Sequence, residues 1–346
     1  MKKYRVGIVG AGNIAQNAHL PAYMKREDVE ITAIADINLP RAQAAAEKFG
    51  IPKAFASCEE LLSGADTDYI DICVWNRYHS DVAIAAAKAG KAILCEKPMA
   101  IDLDHALAME KAVKDAGVPF MMAVPTRYSS EAQYLAQMVE SGRMGEIYYA
   151  KTANMRRRGT PLGWFTDLSK SGGGPVIDIG VHCIDRTWYL MGRPKPVRVS
   201  AMTASRIGDY QTKGVDRWIA LDSDVTAFDT EDSASGVIHF ENGATMLFEV
   251  SWAYNGPNTD YTQIAGEKAG ATLNPLTIYG EDMGYLTDNK PTLLPNNIFE
   301  AEIDHFIHCL NTGDKPISPV EDGVTVQRML EGIYTSARLG KEVTIG

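Results

Sequence analysis

The chain has 346 residues, 45% hydrophobic and 23% charged, which is enough apolar material for about two domains of roughly 150 residues and too much for a disordered chain. With 44 Asp and Glu against 34 Lys and Arg the net charge is −10, the wrong sign for neutralising nucleic-acid phosphates or an anionic membrane surface. No apolar run approaches the roughly 18 to 20 residues needed to cross a bilayer.

In chain order, the charged start Lys2-Lys3-Tyr4-Arg5 followed by Val6–Gly10 has the outline of a signal peptide, but Gly7, Gly10, Gly12 and Asn13 cut the apolar run short, and it reads as a first strand, Tyr4–Val9. Further short strands are expected at Glu30–Ala35, Ala54–Ala56, Tyr69–Val74, Ala92–Cys95 and Pro119–Val124. Helices fall between them at Leu39–Phe49, Cys58–Leu62, Ser80–Ala89 and Leu103–Ala116, several stopping at a glycine (Gly50, Gly90, Gly117) that can supply a left-handed cap. Alternation of this kind builds right-handed βαβ units, so residues 1–124 are expected to form a doubly wound domain with a parallel sheet. From 125 to 346 the texture is α+β: helices at Ser130–Ser141 and about Asp178–Met191, and β-rich runs at Val197–Ala204, Asp232–Phe240 and Ala244–Ala253, with Asn242-Gly243 as a hairpin turn between the last two. Helical periodicity returns at Ile298–Leu310 and Val320–Leu339. Five scattered cysteines without a C-x-x-C pair suggest a reducing, cytoplasmic setting.

Three stretches carry chemistry. Gly10-Ala11-Gly12-Asn13-Ile14 follows the first strand and opens a helix, where glycines let the backbone approach a pyrophosphate, and Asp36 ends the second strand, placed to accept hydrogen bonds from ribose hydroxyls. That carboxylate favours NAD over NADP; Arg41 is the nearby cation that could turn toward a 2′-phosphate, while Ile37 supplies neither hydroxyl nor charge. Glu96-Lys97-Pro98 closes the fifth strand, at the edge where open α/β sheets bind ligands; a solvated surface lysine is the plainer alternative. Gly172-Gly173-Gly174 precedes a helix on which Asp178 and His182 share one face. The glycines suggest close backbone approach to a ligand, with a surface Asp–His pair, or a metal held by Asp178, His182, Cys183 or Asp185, as alternatives. No metal is expected, and His305-x-x-His308-Cys309 reads as chance on an amphipathic helix.

Taken in this order, these residues resemble the glucose–fructose oxidoreductase/inositol dehydrogenase (Gfo/Idh/MocA) family over essentially the whole chain. The resemblance implies a Rossmann domain followed by an α+β domain with a large, mostly antiparallel open sheet, which commonly builds homodimers or homotetramers. It implies that Lys97 touches both nicotinamide and substrate, that His182 is the acid/base, and that the Lys97–Pro98 bond is often cis. Many relatives read Thr-Pro-Asn-x-x-His where this chain reads Val74-Trp75-Asn76-Arg77-Tyr78-His79, so Asn76 and His79 match and Trp75 departs. The expected cofactor contacts are therefore Gly10, Gly12, Asn13, Ile14, Asp36, Arg41, Trp75, Asn76, His79, Glu96 and Lys97. The expected substrate contacts are Lys97, Arg127, Tyr128, Trp164, Asp178 and His182, with Lys97, His182 and Asp178 catalytic.

The implied activity is an NAD-dependent oxidoreductase that interconverts a secondary alcohol and a ketone on a sugar, inositol or related polyol. In oxidation His182 takes the hydroxyl proton and Lys97 holds the developing alkoxide. Two alternatives remain at this level: an NAD-dependent glycosidase that oxidises its substrate transiently, and a catalytically silent sugar- or NAD-binding regulator. An exposed sheet face is expected at Glu249–Tyr254, with Val250, Trp252 and Tyr254 on one side.

Overall fold

The computed structural model describes residues 3–220 and 227–346, so Met1 and Lys2 of the N-terminal reading lie outside the described residues. The chain divides into two compact units, the first comprising residues up to Pro125 together with Ser169–Gly172 and Asn297–Gln327, the second the remainder. The sequence-based division placed everything after residue 124 in the second domain. The two later returns to the first unit differ from that reading, and residue 318 shows why: Met122 N–H donates to the Ser318 carbonyl (2.9 Å) and Ser318 Oγ to the Met122 carbonyl (2.7 Å), which covers an otherwise open strand edge.

In the first unit six strands, β1 (Tyr4–Val9), β2 (Val29–Ala35), β3 (Ala54–Phe55), β4 (Tyr69–Ile72), β5 (Ala92–Glu96) and β6 (Phe120–Ala123), pair in parallel in the order β3-β2-β1-β4-β5-β6. The direction of winding reverses at β1, the position where doubly wound sheets leave a crevice beyond the strand ends. Every residue of β4, β5 and β6 is buried, which is why these strands show no polar–apolar alternation and are apolar apart from Asp71 and Glu96. Asn38, Ser57 and Asp102 accept backbone N–H groups at helix starts, and Gly50 and Gly117 end helices in the left-handed region.

The second unit holds nine strands: β7 (Ile147–Met155), β8 (Pro196–Ala204), β9 (Ser233–Phe240), β10 (Thr245–Ser251), β11 (Thr259–Gly266), β12 (Gly270–Leu273), β13 (Thr277–Asp282), β14 (Tyr285–Asn289) and β15 (Val343–Thr344). Their order is β14-β13-β12-β11-β7-β10-β9-β8-β15, antiparallel except for the β7–β10 pair. The Asn242-Gly243 hairpin joins β9 to β10 with Gly243 at φ +87°. Met246, Phe248 and Val250 of β10 point into the unit and are buried, as is Trp252 just beyond. This corrects the expected exposed face: it is the alternate residues, Leu247 on β10 and Met202 on β8, that face outward, with Lys151 of β7 beside Leu247 in register. Among the described residues no helix is long and apolar enough to cross a membrane.

Candidate active site

In the first unit the turn after β1 is fixed by sterics. Gly10 has φ +104°, and a Cβ there would lie 2.4 Å from the Cys73 carbonyl oxygen, so only glycine fits. At Gly12 a Cβ would meet nothing within 4 Å, so the backbone is open on the side a phosphate would approach. The helix that follows begins with a widened π turn, Ala15–His19, before an α-turn at Leu20–Tyr23. Asp36 is buried and already holds the turn: Oδ2 accepts the Ala11 N–H and Oδ1 the Asn38 N–H, both at 2.8 Å. Each oxygen keeps a second lone pair for a ribose hydroxyl. Arg41 Nη1 stands 3.7 Å from Asp36 Oδ2. An open glycine cradle beside an acid with spare acceptor capacity fits an adenine dinucleotide, with Asn13 and Ile14 half-buried at the helix opening.

Around Lys97 the structure separates residues that face the crevice from those that brace it. Lys97 is half-buried and precedes a cis peptide to Pro98. Glu96 is buried, with Oε1 3.0 Å from His19 Nε2 and Oε2 accepting the Lys97 backbone N–H at 3.1 Å. His79 is buried too, its ring nitrogens 2.7 Å from the Pro98 carbonyl and 3.1 Å from the Val74 carbonyl, and burial pushes its pKa below the ordinary histidine value. Asn76 donates to the Ser171 carbonyl at 2.7 Å. Glu96, His79 and Asn76 therefore spend polar atoms on tying loop ends together. Glu96 and His79, both among the expected cofactor contacts, thus brace the loop that carries Lys97. Trp75 is half-buried, stacks on Tyr78 at 6.3 Å between centroids, and lies under the Lys170 ammonium at 4.9 Å.

In the second unit Asp178 lies on a π turn, Val176–Gly180, that runs into the helix Val181–Leu190 carrying His182, where a continuous α-helix was expected. π turns of this kind recur at functional sites because they shift side chains without ending the helix. Asp178 Oδ2 accepts the Trp252 indole N–H at 2.9 Å, and both Asp178 and His182 are half-buried.

The glycines before this segment have a different cause from the one expected. A Cβ at Gly174 would lie 2.1 Å from the Glu231 carbonyl oxygen and one at Gly173 2.0 Å from the Tyr334 hydroxyl, so packing inside the unit, not a ligand, demands them. Glu231 then holds the segment's opening N–H groups, with Oε2 accepting from Gly174 (2.9 Å), Oε1 from Val176 (3.1 Å) and Tyr334 OH donating to Oε1 (2.9 Å); burial raises its pKa. Glu231 and Trp252 position the segment, and no local motif marked either in the sequence.

Arg127 is corrected: its guanidinium is fully buried and bidentate to Asp185, Nε–Oδ2 at 2.8 Å and Nη2–Oδ1 at 2.6 Å, with the Tyr189 ring 4.9 Å away. It is an internal ion pair rather than a substrate contact, and Asp185 is committed to it rather than to a metal. Tyr128 is likewise buried, its carbonyl accepting from Asn296 Nδ2 at 2.8 Å. Trp164 is half-buried and stacks on Phe165 at 4.0 Å.

A family model described as an oxidoreductase-family NAD-binding Rossmann fold matches residues 4–124, and the corresponding C-terminal domain model matches residues 132–272. The D-glucoside 3-dehydrogenase of Escherichia coli K12 is 33% identical over 99% of this chain and 97% of its own length. The D-apiose dehydrogenase of Paraburkholderia graminis is 27% identical over 100% of this chain and 90% of its own. Among solved structures, an aldose-aldose oxidoreductase from Caulobacter crescentus complexed with glycerol superposes with TM-score 0.83 at 25% identity, covering 99% of this chain and 100% of that one. A levoglucosan dehydrogenase complexed with NADH has the same fold, with TM-score 0.87 at 24% identity over 100% of both chains. With an NAD-binding Rossmann unit, a matching C-terminal domain and a dehydrogenase relative along its whole length, the chain belongs to the GFO/IDH/MocA family of oxidoreductases.

Proposed function

We propose that the protein is an NAD-dependent dehydrogenase that interconverts a secondary alcohol and a ketone on a sugar, glycoside or related polyol. The observation that carries the reading is Lys97 at the end of β5, its backbone fixed by Glu96, in the unit that holds the glycine turn and Asp36. The whole-length relative that acts as a D-glucoside 3-dehydrogenase makes the C3 hydroxyl of a glucoside the first position to test.

Bound along the glycine turn, the cofactor supplies a hydride acceptor at its nicotinamide ring. Lys97 stabilises the oxygen of the reacting carbon as charge develops on it, by a charge-assisted hydrogen bond. His182 takes the hydroxyl proton, a role suited to a side chain whose ordinary pKa lies near neutrality. Asp178, held through Trp252, hydrogen-bonds a substrate hydroxyl or orients His182. Trp164 offers an aromatic face for a sugar ring. Lys97→Met and His182→Asn are each expected to lower kcat by about 10²–10⁴ with the fold intact.

The deciding experiment follows NADH formation with methyl glucosides, anhydro-sugars, aldoses and inositols. Net NADH with one of these supports the dehydrogenase. Release of an aglycone without net NADH replaces it by the transient-oxidation glycosidase, and tight NAD binding without any turnover replaces it by a binding protein. Five buried free cysteines support a reducing compartment, and the outward-facing Leu247 and Met202 support a homo-oligomer built on the open sheet face. Sedimentation of the wild type and of Leu247→Glu tests the latter, a monomeric wild type at micromolar concentration removing it.

A further inference from the structure

Behind Lys97 lies a group of buried polar side chains that the proposed chemistry does not use. His19, on the π turn after β1, points Nδ1 at Asp71 Oδ2 (2.7 Å) and Nε2 at Glu96 Oε1 (3.0 Å). Tyr23 OH donates to the same Asp71 oxygen at 2.9 Å, and Cys73 Sγ lies 3.5 Å from Asp71 Oδ1. His19, Asp71, Glu96 and Tyr23 are all buried, and Glu302 is buried on the helix Ile298–Thr312 that packs over them together with Phe299, whose ring lies 6.3 Å from that of His19. His19, Asp71 and Cys73 offer three ligand atoms within 4.8 Å of one another, the spacing of a metal site. Both imidazole nitrogens, however, already face carboxylate oxygens at hydrogen-bond length, and a ring that donates to both is an imidazolium with no lone pair left for a metal.

We propose that His19 is a positioning residue for Lys97: as an imidazolium shared by Asp71 and Glu96, it fixes the Glu96 carboxylate, whose other oxygen holds the Lys97 backbone N–H. This rests on the reading of Lys97 as the residue that meets the reacting oxygen. The chain of contacts is short and buried throughout: Asp71 on β4, His19, Glu96 on β5, then the Lys97 amide. The local electrostatics agree. Burial alone pushes the His19 pKa down, but the neighbouring Asp71 charge and hydrogen bond outweigh it and leave it well above the ordinary histidine value. Burial pushes Glu96 up, and the His19 hydrogen bond and charge bring it below the ordinary glutamate value. Burial and the Glu96 charge raise the Glu302 pKa well above the ordinary glutamate value, which disfavours a third negative charge beside the pair. Cys73 is pushed up to about 12 by burial and by Asp71, so it stays a thiol, and burial likewise keeps Tyr23 neutral.

Two substitutions separate the arms of the clamp. In H19Q the amide nitrogen stands near the Nε2 position and still donates to Glu96; in H19N it stands near Nδ1 and donates to Asp71 alone. With NAD and methyl D-glucoside, H19N is expected to lose about 10² in kcat with KM for both substrates within threefold. H19Q should stay within about tenfold of wild type because it keeps the Glu96 arm, whereas the displacement near 1 Å expected in H19N costs about 10² at a reacting group. Equal losses in the two variants, or losses confined to thermal stability, overturn the proposal. K97M is the parallel control: if it turns over normally, the reading of Lys97 fails, whereas a dead K97M with indistinguishable H19N and H19Q rejects only the clamp. Histidine-selective ¹⁵N NMR of the wild-type protein decides the matter even if H19N does not fold or methyl D-glucoside is not turned over. Both His19 nitrogens should remain protonated above neutral pH, and a neutral His19 at pH 7 sinks the proposal.

Discussion

Each unit buries one charge system completely, and the two are built on opposite plans. In the second unit Arg127 and Asp185 form a bidentate pair, two parallel hydrogen bonds between a carboxylate and a guanidinium that does not deprotonate. In the first unit two carboxylates share one imidazole, so the charge balance depends on a proton that solution pH can remove. A pair whose donor keeps its proton can only hold its surroundings together. A shared proton both holds and titrates, and it stands one hydrogen bond from the backbone of Lys97. Burial alone therefore does not distinguish structural from functional charge; what distinguishes them is whether the donor can lose its proton and what lies at the far end.

The comparison is broken most severely at Arg127. Arg127→Met leaves Asp185 buried without its partner and should cost about 3–5 kcal/mol in urea denaturation, while Arg127→Met/Asp185→Leu recovers much of that loss. The cost should be the same at pH 6 and pH 9, and a strong pH dependence would show that the pair itself titrates in that range. A smaller effect is expected at Gly174, where a methyl group meets the Glu231 carbonyl oxygen at 2.1 Å. Gly174→Ala should destabilise by about 1–3 kcal/mol and lower kcat, because the displaced segment carries Asp178 and His182.

The shared proton sets the third expectation. Because the His19 pKa is raised on folding, its stabilisation is fully present below the unfolded value of about 6.5 and is lost as pH rises through the folded one. From that group alone, stability should fall on the alkaline side by at most about 1.4 kcal/mol per pH unit. Glu96 has the opposite sign: its lowered pKa gives stability that is present above about 4.5 and is lost as pH falls through the folded value. Thermal melts of wild type and H19Q should differ in their alkaline limb, and superimposable limbs would falsify the assignment.

The smallest effect concerns the cofactor. A 2′-phosphate brought beside Asp36 meets a like charge worth about 4 kcal/mol at 4 Å and an effective dielectric near 20, and Arg41 at 3.7 Å offsets part of it. The kcat/KM ratio of NAD to NADP should exceed about tenfold, and parity would mean that Arg41, not Asp36, governs the ribose.

Much of this was legible in the chain. The helices Leu39–Phe49, Leu103–Ala116 and Val320–Leu339 carry their own boundaries, the first two through Asn38 and Asp102 caps and closing glycines, and the parallel strands announce themselves as short apolar runs between them. The glycine turn, Asp36, Lys97 and the Asp178/His182 pair could be singled out because their chemistry depends on local spacing. β7 could not, although it is the strand that β10 and β11 flank. Its outward side includes Lys151 and its inward side the small residues Ala150 and Thr152, so the usual alternation of large apolar and polar residues is faint.

The sequence by itself determined the local matters: where helices start and stop, that a cofactor turn follows β1, and which residue types stand at strand ends. Tertiary structure decided what long-range pairing alone can decide. It sent Arg127 inward to Asp185, 58 residues away, joined Asp178 to Trp252 across 74 residues, and brought His19 between Asp71 and Glu96. The reason is physical: a charged or polar side chain reads the same in sequence whether it meets solvent, substrate or a partner, and only burial forces it to find the partner.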